Sequence, residues 1–243
     1  MILNYPTTIK LRKKTIKINK LKWLRYIHYF IYIDFNWGFK IAAVLFYQEI
    51  KGESKYNINT TGIDDLKSLK KNGIDISHAT IYMPVSYAII ENSFEQIPLS
   101  GKKHFLDIGC GKGRAMCVAA HYGFSKISGI DFSSKLCEAA VTNLNITQQK
   151  FAELNYTLIN EDAAIVPIPF DVDCIFLFNP FDKIVMQQIV INIQQSLLLK
   201  PRQLYVIYVN PLLKNIFLEE KFSEVYYSKT LEYFELSILK NRP

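Results

Sequence analysis

The sequence is poor in residues that break regular structure and in those that build disulfide frameworks. Its 243 residues include only 10 glycines, 9 prolines and 4 cysteines. So little proline and glycine excludes a fibrous repeat and a long disordered chain. The cysteines at 110, 117, 137 and 174 form no C-x-x-C pair and lie in apolar surroundings. This pattern predicts reduced core thiols and an intracellular, cytoplasmic protein.

Histidine and long uncharged runs are scarce as well. The four histidines lie far apart and show no ligand spacing, so the sequence predicts no metal site. No uncharged apolar run reaches the length of about 18 residues that a membrane-spanning helix needs. The most apolar stretch, residues 23–47, is interrupted by Arg25, His28, Asp34 and Lys40. It predicts one or two amphipathic helices packed on the domain.

Acidic residues are missing from the start of the chain. Residues 1–25 contain no Asp or Glu but carry eight of the 29 lysines and arginines. Without those eight, 21 basic residues face 22 acidic ones, so the net charge of +7 belongs to this arm. A basic arm suits an acidic partner, such as nucleic acid, or an anionic membrane surface. A solvated basic face would have the same composition.

From residue 103 the sequence alternates between short apolar runs and helical patterns. Five runs predict strands, at residues 103–108, 126–131, 156–160, 173–178 and 203–209. The intervening helical patterns predict an α/β fold, with parallel strands and helices on both faces of the sheet. Residues 225–227 and 233–239 have no helix between them, and they predict a hairpin that adds one antiparallel strand.

The stretch FLDIGCGKGR, residues 105–114, places three glycines within five residues after the first predicted strand. A phosphate-binding ATPase loop requires G-x-x-x-x-G-K-[ST], which is absent. A dinucleotide-binding loop requires a third glycine where Arg114 stands, and Asp107 would repel its pyrophosphate. The third candidate for this loop is a cationic ligand without phosphate. S-adenosylmethionine, with its sulfonium and ammonium groups, suits a carboxylate at this strand end.

Acidic residues also follow the next two predicted strands. Asp131 comes 22 residues after Gly109, where a carboxylate can accept hydrogen bonds from ribose hydroxyls. Phe132 beside it can cover one face of adenine, and Asp162 can accept the adenine amino group. A lone aspartate at a strand end is usually a helix cap or a solvated turn. Three at successive strand ends favour a nucleoside site.

The motifs FLDIGCGKGR, GIDFS, EDAA and FLFNPF together resemble those of class I S-adenosylmethionine-dependent methyltransferases, over residues 82–239. The resemblance implies a Rossmann-like, seven-stranded, mostly parallel sheet with one antiparallel strand and helices on both faces. It divides the chain into a basic, mainly helical extension, residues 1–80, and a methyltransferase domain, residues 81–243. It implies S-adenosylmethionine as the cofactor, held at Asp107, Gly109, Gly111, Gly113, Asp131, Phe132, Asp162, Ala163 and Tyr82.

The sequence Asn179-Pro180-Phe181 follows the fourth predicted strand. It resembles the (Asp/Asn)-Pro-Pro-(Phe/Tyr/Trp) motif of methyltransferases that act on amine or amide nitrogens, but it has one proline instead of two. The resemblance implies that these three residues are catalytic and that the acceptor is a nitrogen on a protein or nucleic acid. A small-molecule acceptor, a cofactor-binding module without catalysis and a simple strand-terminating turn remain alternatives.

Two basic residues, Lys112 and Arg114, lie in or beside the glycine loop. Their charge suits contact with the carboxylate of the cofactor or with a substrate phosphate. Exposure to solvent, where such residues are common, is the alternative interpretation.

Overall fold

The structure, a computed structural model, describes residues 23–62, 83–98, 104–178, 181–230 and 234–242, and the backbone of residues 11–22. The chain forms two compact units, Met1–Phe46 and Tyr47–Pro243. The domain boundary at residue 80 stays a prediction, because residues 63–82 lie outside the described parts.

The N-terminal region is helical, as predicted. Helix α1 spans Leu11–Trp37 and helix α2 spans Phe39–Tyr56. Gly38 separates them with a φ of +87°, a left-handed conformation that glycine adopts readily. Among the described residues, the structure has no helix with the length and apolar character needed to cross a membrane.

The second unit contains a sheet flanked by helices. The helices are α3 (Tyr87–Glu95), α4 (Arg114–His121), α5 (Ser134–Lys150), α6 (Lys183–Leu199) and α7 (Lys214–Glu219). The strands are β1 (His104–Ile108), β2 (Lys126–Ile130), β3 (Asn155–Ile159), β4 (Val172–Phe178), β5 (Tyr205–Val209), β6 (Phe222–Thr230) and β7 (Phe234–Asn241).

These strands form one sheet in the order β3-β2-β1-β4-β5-β7-β6. Strands β1 to β5 pair in parallel, whereas β7 runs antiparallel to both β5 and β6. The predicted Rossmann-like sheet with one antiparallel strand is therefore confirmed, and so is the hairpin at the tail.

The central strands are apolar throughout because both faces of the sheet are covered. Along β4, Cys174 and Phe176 pack with α3 and α4 in one core, the upper core. Ile175 and Leu177 point the other way and pack with α6 in a second core, the lower core. This alternation explains the uninterrupted apolar run in the sequence.

Strand β1 lies where the strand order reverses. It pairs with β2 on one side and with β4 on the other, so Asp107 lies opposite Gly129 and Phe176. In open α/β sheets, ligands bind at this point, outside the carboxyl ends of the strands. The carboxyl ends of β1, β2, β3 and β4 therefore lie next to the candidate site.

The C-terminal end of α2 packs against the aromatic ring at the start of α3. A Cβ atom on Gly52 would lie 2.1 Å from the ring of Tyr87. This ring stacks on Tyr56 with centroids 5.6 Å apart, and its hydroxyl lies 2.9 Å from Oγ1 of Thr60. The guanidinium carbon of Arg114 lies 4.1 Å from the ring centroid. The ring is held on all these sides, so only glycine fits at position 52.

Substitution of Gly52 tests this contact. Alanine adds about 1 kcal/mol of helix propensity, but overpacking against the fixed ring costs about 1–3 kcal/mol. We therefore expect Gly52→Ala to lower the free energy of unfolding, measured by urea denaturation. Ser54 is exposed on the same helix, and Ser54→Ala is expected to stay within about 0.5 kcal/mol of the wild type. A Gly52→Ala variant as stable as the wild type would contradict the packing described.

Candidate active site

The glycine loop joins β1 to α4 and is tied to the neighbouring strand. The backbone N–H groups of Gly109 and Cys110 both donate to the carbonyl of Ile130, at 2.9 and 3.0 Å. Gly113 has a φ of +75°, and a Cβ there would lie 3.2 Å from Cβ of Ala140. Glycine at position 113 therefore allows the loop to turn and α4 to pack closely on α5.

Asp131 follows β2 and connects that strand end to the glycine loop. One carboxylate oxygen accepts a hydrogen bond from the N–H of Gly111 at 2.8 Å, and the other accepts from the N–H of Ser133 at 2.9 Å. Gly111 donates from a left-handed conformation, with φ at +54°. The loop is therefore held in one position by the carboxylate that the sequence assigns to the ribose.

Asp107 is the least compensated polar group at the site. Its side chain is 3% exposed, and among the described residues none donates a hydrogen bond to its carboxylate. Burial raises the pKa of Asp107 well above its usual range, and the negative charge of Asp131 raises it further. Burial also raises the pKa of Asp131, although the N–H groups of Ser133 and Gly111 oppose that effect. The two carboxylates share an environment that favours a cation.

The residues that follow β3 donate hydrogen bonds to the backbone of Asp131. The side-chain amide of Asn160 donates to the carbonyl of Asp131 at 2.9 Å, and the N–H of Glu161 donates to the same oxygen at 3.2 Å. The sequence interpretation did not assign a role to Asn160. The one feature of the sequence that points to Asn160 is its position at the end of the third predicted strand.

The residues predicted to bind adenine have different surroundings. Phe132 is half-buried beside Asp131, whereas Asp162 is exposed and accepts a hydrogen bond from the N–H of Ala164 at 2.9 Å. Ala163 is buried in the lower core. Their roles toward adenine stay predictions.

Of the residues predicted to be catalytic, the structure describes one. Phe181 is half-buried and packs against the lower core. Asn179, Pro180 and the predicted cofactor contact Tyr82 lie outside the described residues. The next residue, Asp182, caps α6 by accepting the N–H of Val185 at 3.1 Å.

The structure differs from the expectation that Arg114 contacts solvent or the ligand. Its guanidinium is buried and forms a two-pronged ion pair with Glu49, at 2.6 and 2.5 Å. Its Nε donates to Thr60 at 2.8 Å, and a further N–H donates to the carbonyl of Val85 at 2.6 Å. These contacts use four of the five guanidinium N–H groups, so Arg114 fixes the protein around the loop.

A second carboxylate completes this buried network. Glu53 accepts hydrogen bonds from the N–H groups of Thr60 and Thr61, at 2.7 and 2.6 Å. The hydroxyl of Thr61 also bonds Glu49 at 2.7 Å, and its carbonyl accepts a 3.3 Å hydrogen bond from the ammonium of Lys112. Residues 47–62 are thereby tied to the glycine loop. The sequence interpretation missed these partners, because Thr61 lies 51 positions before Lys112 and Thr60 lies 54 positions before Arg114.

Metal-ligating side chains are not grouped in the described parts of the chain. There, no cluster of three or more His, Cys, Asp or Glu side chains is arranged to hold a metal ion. The four cysteines are free and buried. The described chemistry of the site therefore consists of its carboxylates, its loop amides and its aromatic residues.

Comparisons with known proteins decide the family. Residues 99–237 match a family model described as a methyltransferase domain, which is more than half of the 243 residues. The chain belongs to the methyltransferase-domain family. The predicted class I superfamily, the predicted enzyme class and S-adenosylmethionine as the methyl donor are thereby confirmed. No curated protein sequence matches the chain.

Solved structures share the fold of this methyltransferase at low sequence identity. A SAM-dependent methyltransferase from Aquifex aeolicus is 13% identical with a TM-score of 0.51, over 73% of this chain and 98% of that one. The pyocyanin biosynthetic protein PhzM is 12% identical with a TM-score of 0.51, over 64% and 54% of the two chains. The StiE O-MT segment is 12% identical with a TM-score of 0.50, over 63% and 73%. These similarities support the fold alone.

The residues present fit this methyl donor. S-adenosylmethionine carries a sulfonium and an ammonium and no phosphate, so it can neutralise a buried carboxylate that lacks a donor. Asp107 is buried and has no donor among the residues that the structure describes. A pyrophosphate would instead add negative charge beside Asp107 and Asp131.

The ion pair between Arg114 and Glu49 yields a stability prediction. Arg114→Met leaves Glu49 buried without a cation, which is expected to cost about 3–5 kcal/mol. Arg114→Met combined with Glu49→Met removes both charges and is expected to cost less than Arg114→Met alone. Urea denaturation of the wild type, both single variants and the double variant measures their free energies of unfolding and completes a double-mutant cycle. Strictly additive costs would show that the two side chains do not stabilise each other.

Proposed function

We propose that this methyltransferase transfers the methyl group to a nitrogen atom of a protein or nucleic-acid acceptor. S-adenosylmethionine supplies a methyl group on a sulfonium, whose thioether is already a good leaving group. The remaining requirements are orientation of the acceptor and exclusion of water. The chain needs no strong acid to activate the donor.

The buried Asp107 supports the placement of the donor more than any other observation. We assign Asp107 to the cationic end of the donor and the backbone of Gly109, Gly111 and Gly113 to the close approach of its amino-acid part. Each carboxylate oxygen of Asp131 accepts one N–H bond. An ionised carboxylate has about four acceptor positions, so Asp131 can accept ribose hydroxyls as well.

The position of β4 supports a nitrogen acceptor near the donor. Strand β4 pairs in parallel with β1, with Ile108 opposite Leu177. The carboxyl end of β4 therefore lies beside the carboxyl end of β1, from which the glycine loop begins. In this proposal the side-chain oxygen of Asn179 accepts an N–H from the acceptor, which directs the nitrogen lone pair to the methyl group. The acidic partner of the arm and the cytoplasmic location stay predictions.

Labelled methyl transfer into separated lysate pools tests the acceptor class. We expect label from S-adenosylmethionine in the protein or nucleic-acid pool, in a form stable to mild alkali, because N-methyl groups resist hydrolysis and carboxyl methyl esters do not. Label confined to small molecules, or released by alkali as methanol, would contradict the proposal. Cofactor binding without transfer to any pool would favour the non-catalytic alternative.

Asn179→Ala tests the orienting role on the identified acceptor. Loss of one positioned hydrogen bond is expected to lower kcat about 100-fold, while the affinity for S-adenosylhomocysteine stays within about twofold of the wild type. Asn210 offers a matched control, because it also precedes a proline after a strand and has a φ of +52°. Asn210→Gly keeps that conformation and is expected to retain kcat. Equal activity of the wild type and Asn179→Ala would favour a simple turn.

A further inference from the structure

Helix α1 exposes a row of apolar side chains. Leu24, Ile27, Ile31 and Phe35 follow one another at intervals of three and four residues, so they share one helix face. All four are exposed, and Phe35 is 91% exposed. We call these four residues the α1 stripe. Exposed contiguous apolar patches mark interaction sites in folded proteins.

The α1 stripe is distinct from the face by which α1 packs within its own unit. Tyr26 and Phe30 contact Phe46 of α2, with ring centroids 6.0 and 5.5 Å apart. Tyr26 is buried, whereas Ile27 beside it is exposed. The contact between the two helices therefore leaves the α1 stripe open to a partner.

The sequence places three lysines before the α1 stripe, within the backbone range of α1. Positions 13, 17 and 20 precede Leu24 at the same spacing, and each is a lysine. The first acidic residue of the chain is Asp34. One line of the helix thus combines cationic positions with apolar ones. A partner must therefore offer negative charge next to an apolar layer.

A membrane surface with anionic lipids has both properties. Helices that lie in the interface bury Trp, Phe and Leu side chains at the acyl boundary, and their Lys and Arg side chains reach the phosphates. Nucleic acid offers phosphates but no apolar layer for the aliphatic Leu24, Ile27 and Ile31. A second copy of this chain would bring two lysine-rich segments of like charge together.

We infer that the α1 stripe docks this methyltransferase on membrane surfaces that contain anionic lipids. This inference is independent of the proposed acceptor, because it concerns a helix of the first unit and not the active site. Lysines at positions 13, 17 and 20 attract the helix to the surface, and the α1 stripe inserts at the acyl boundary.

Sedimentation of the full-length chain with lipid vesicles tests this inference. We expect binding to mixed phosphatidylcholine and phosphatidylglycerol vesicles, weak binding to phosphatidylcholine alone, and weaker binding as salt is raised. Ile31→Ser with Phe35→Ser is expected to reduce the affinity by about tenfold or more. Leu198→Ser with Leu199→Ser removes two exposed apolar residues of α6 instead, and it is expected to bind as the wild type does.

A second variant separates charge from folding effects. Lys13→Gln, Lys17→Gln and Lys20→Gln together are expected to lower the affinity for mixed vesicles by about fivefold per lysine, with an unchanged circular dichroism spectrum. Failure to bind mixed vesicles would overturn the inference, as would equal binding by Ile31→Ser with Phe35→Ser. A solution dimer that this double variant dissociates, or RNA binding without vesicle binding, would also overturn it.

Discussion

Two buried carboxylates at adjacent strand ends, Asp107 and Asp131, impose the main constraint on this protein. Asp131 is partly compensated because the N–H groups of Gly111 and Ser133 donate to it. Asp107 has no such donor among the described residues, and burial beside the charge of Asp131 raises its pKa, so it favours the neutral form until a cation binds. A cationic nucleoside favours the ionised form of Asp107, whereas a pyrophosphate would add further negative charge beside Asp131. The preference for S-adenosylmethionine thus follows from charge as well as from family membership.

Arg114 stands beside this acidic pocket but does not neutralise it. Four of its five guanidinium N–H groups donate to Glu49, Thr60 and the carbonyl of Val85. The nearby cation therefore fixes the protein, and the charge of the pocket is left for the ligand. Because this ion pair joins residues 47–62 to the glycine loop, the structural support of the site extends well before residue 99, where the family match begins.

The sequence predicted features that depend on local pattern and missed those that depend on distant contacts. The β1–glycine loop–α4 segment and the strand-end aspartates were predictable, because each motif lies within a few residues of its strand. The partner of Arg114 was not, because no spacing rule connects it to Glu49 across 65 positions. Strand β6 was predicted only at residues 225–227 but spans Phe222–Thr230, since an edge strand with mixed exposure lacks a continuous apolar run.

Proton release on donor binding tests the central role of Asp107 most directly. Burial raises its pKa in the free protein, and a bound cation lowers it, so binding releases a proton and tightens as pH rises toward the raised pKa. Calorimetric titration with S-adenosylmethionine, in buffers of different ionisation enthalpy, measures that release. We expect it in the wild type and in the exposed surface variant Glu153→Gln, but not in Asp107→Asn. Wild-type binding without proton release and with pH-independent affinity would contradict the account.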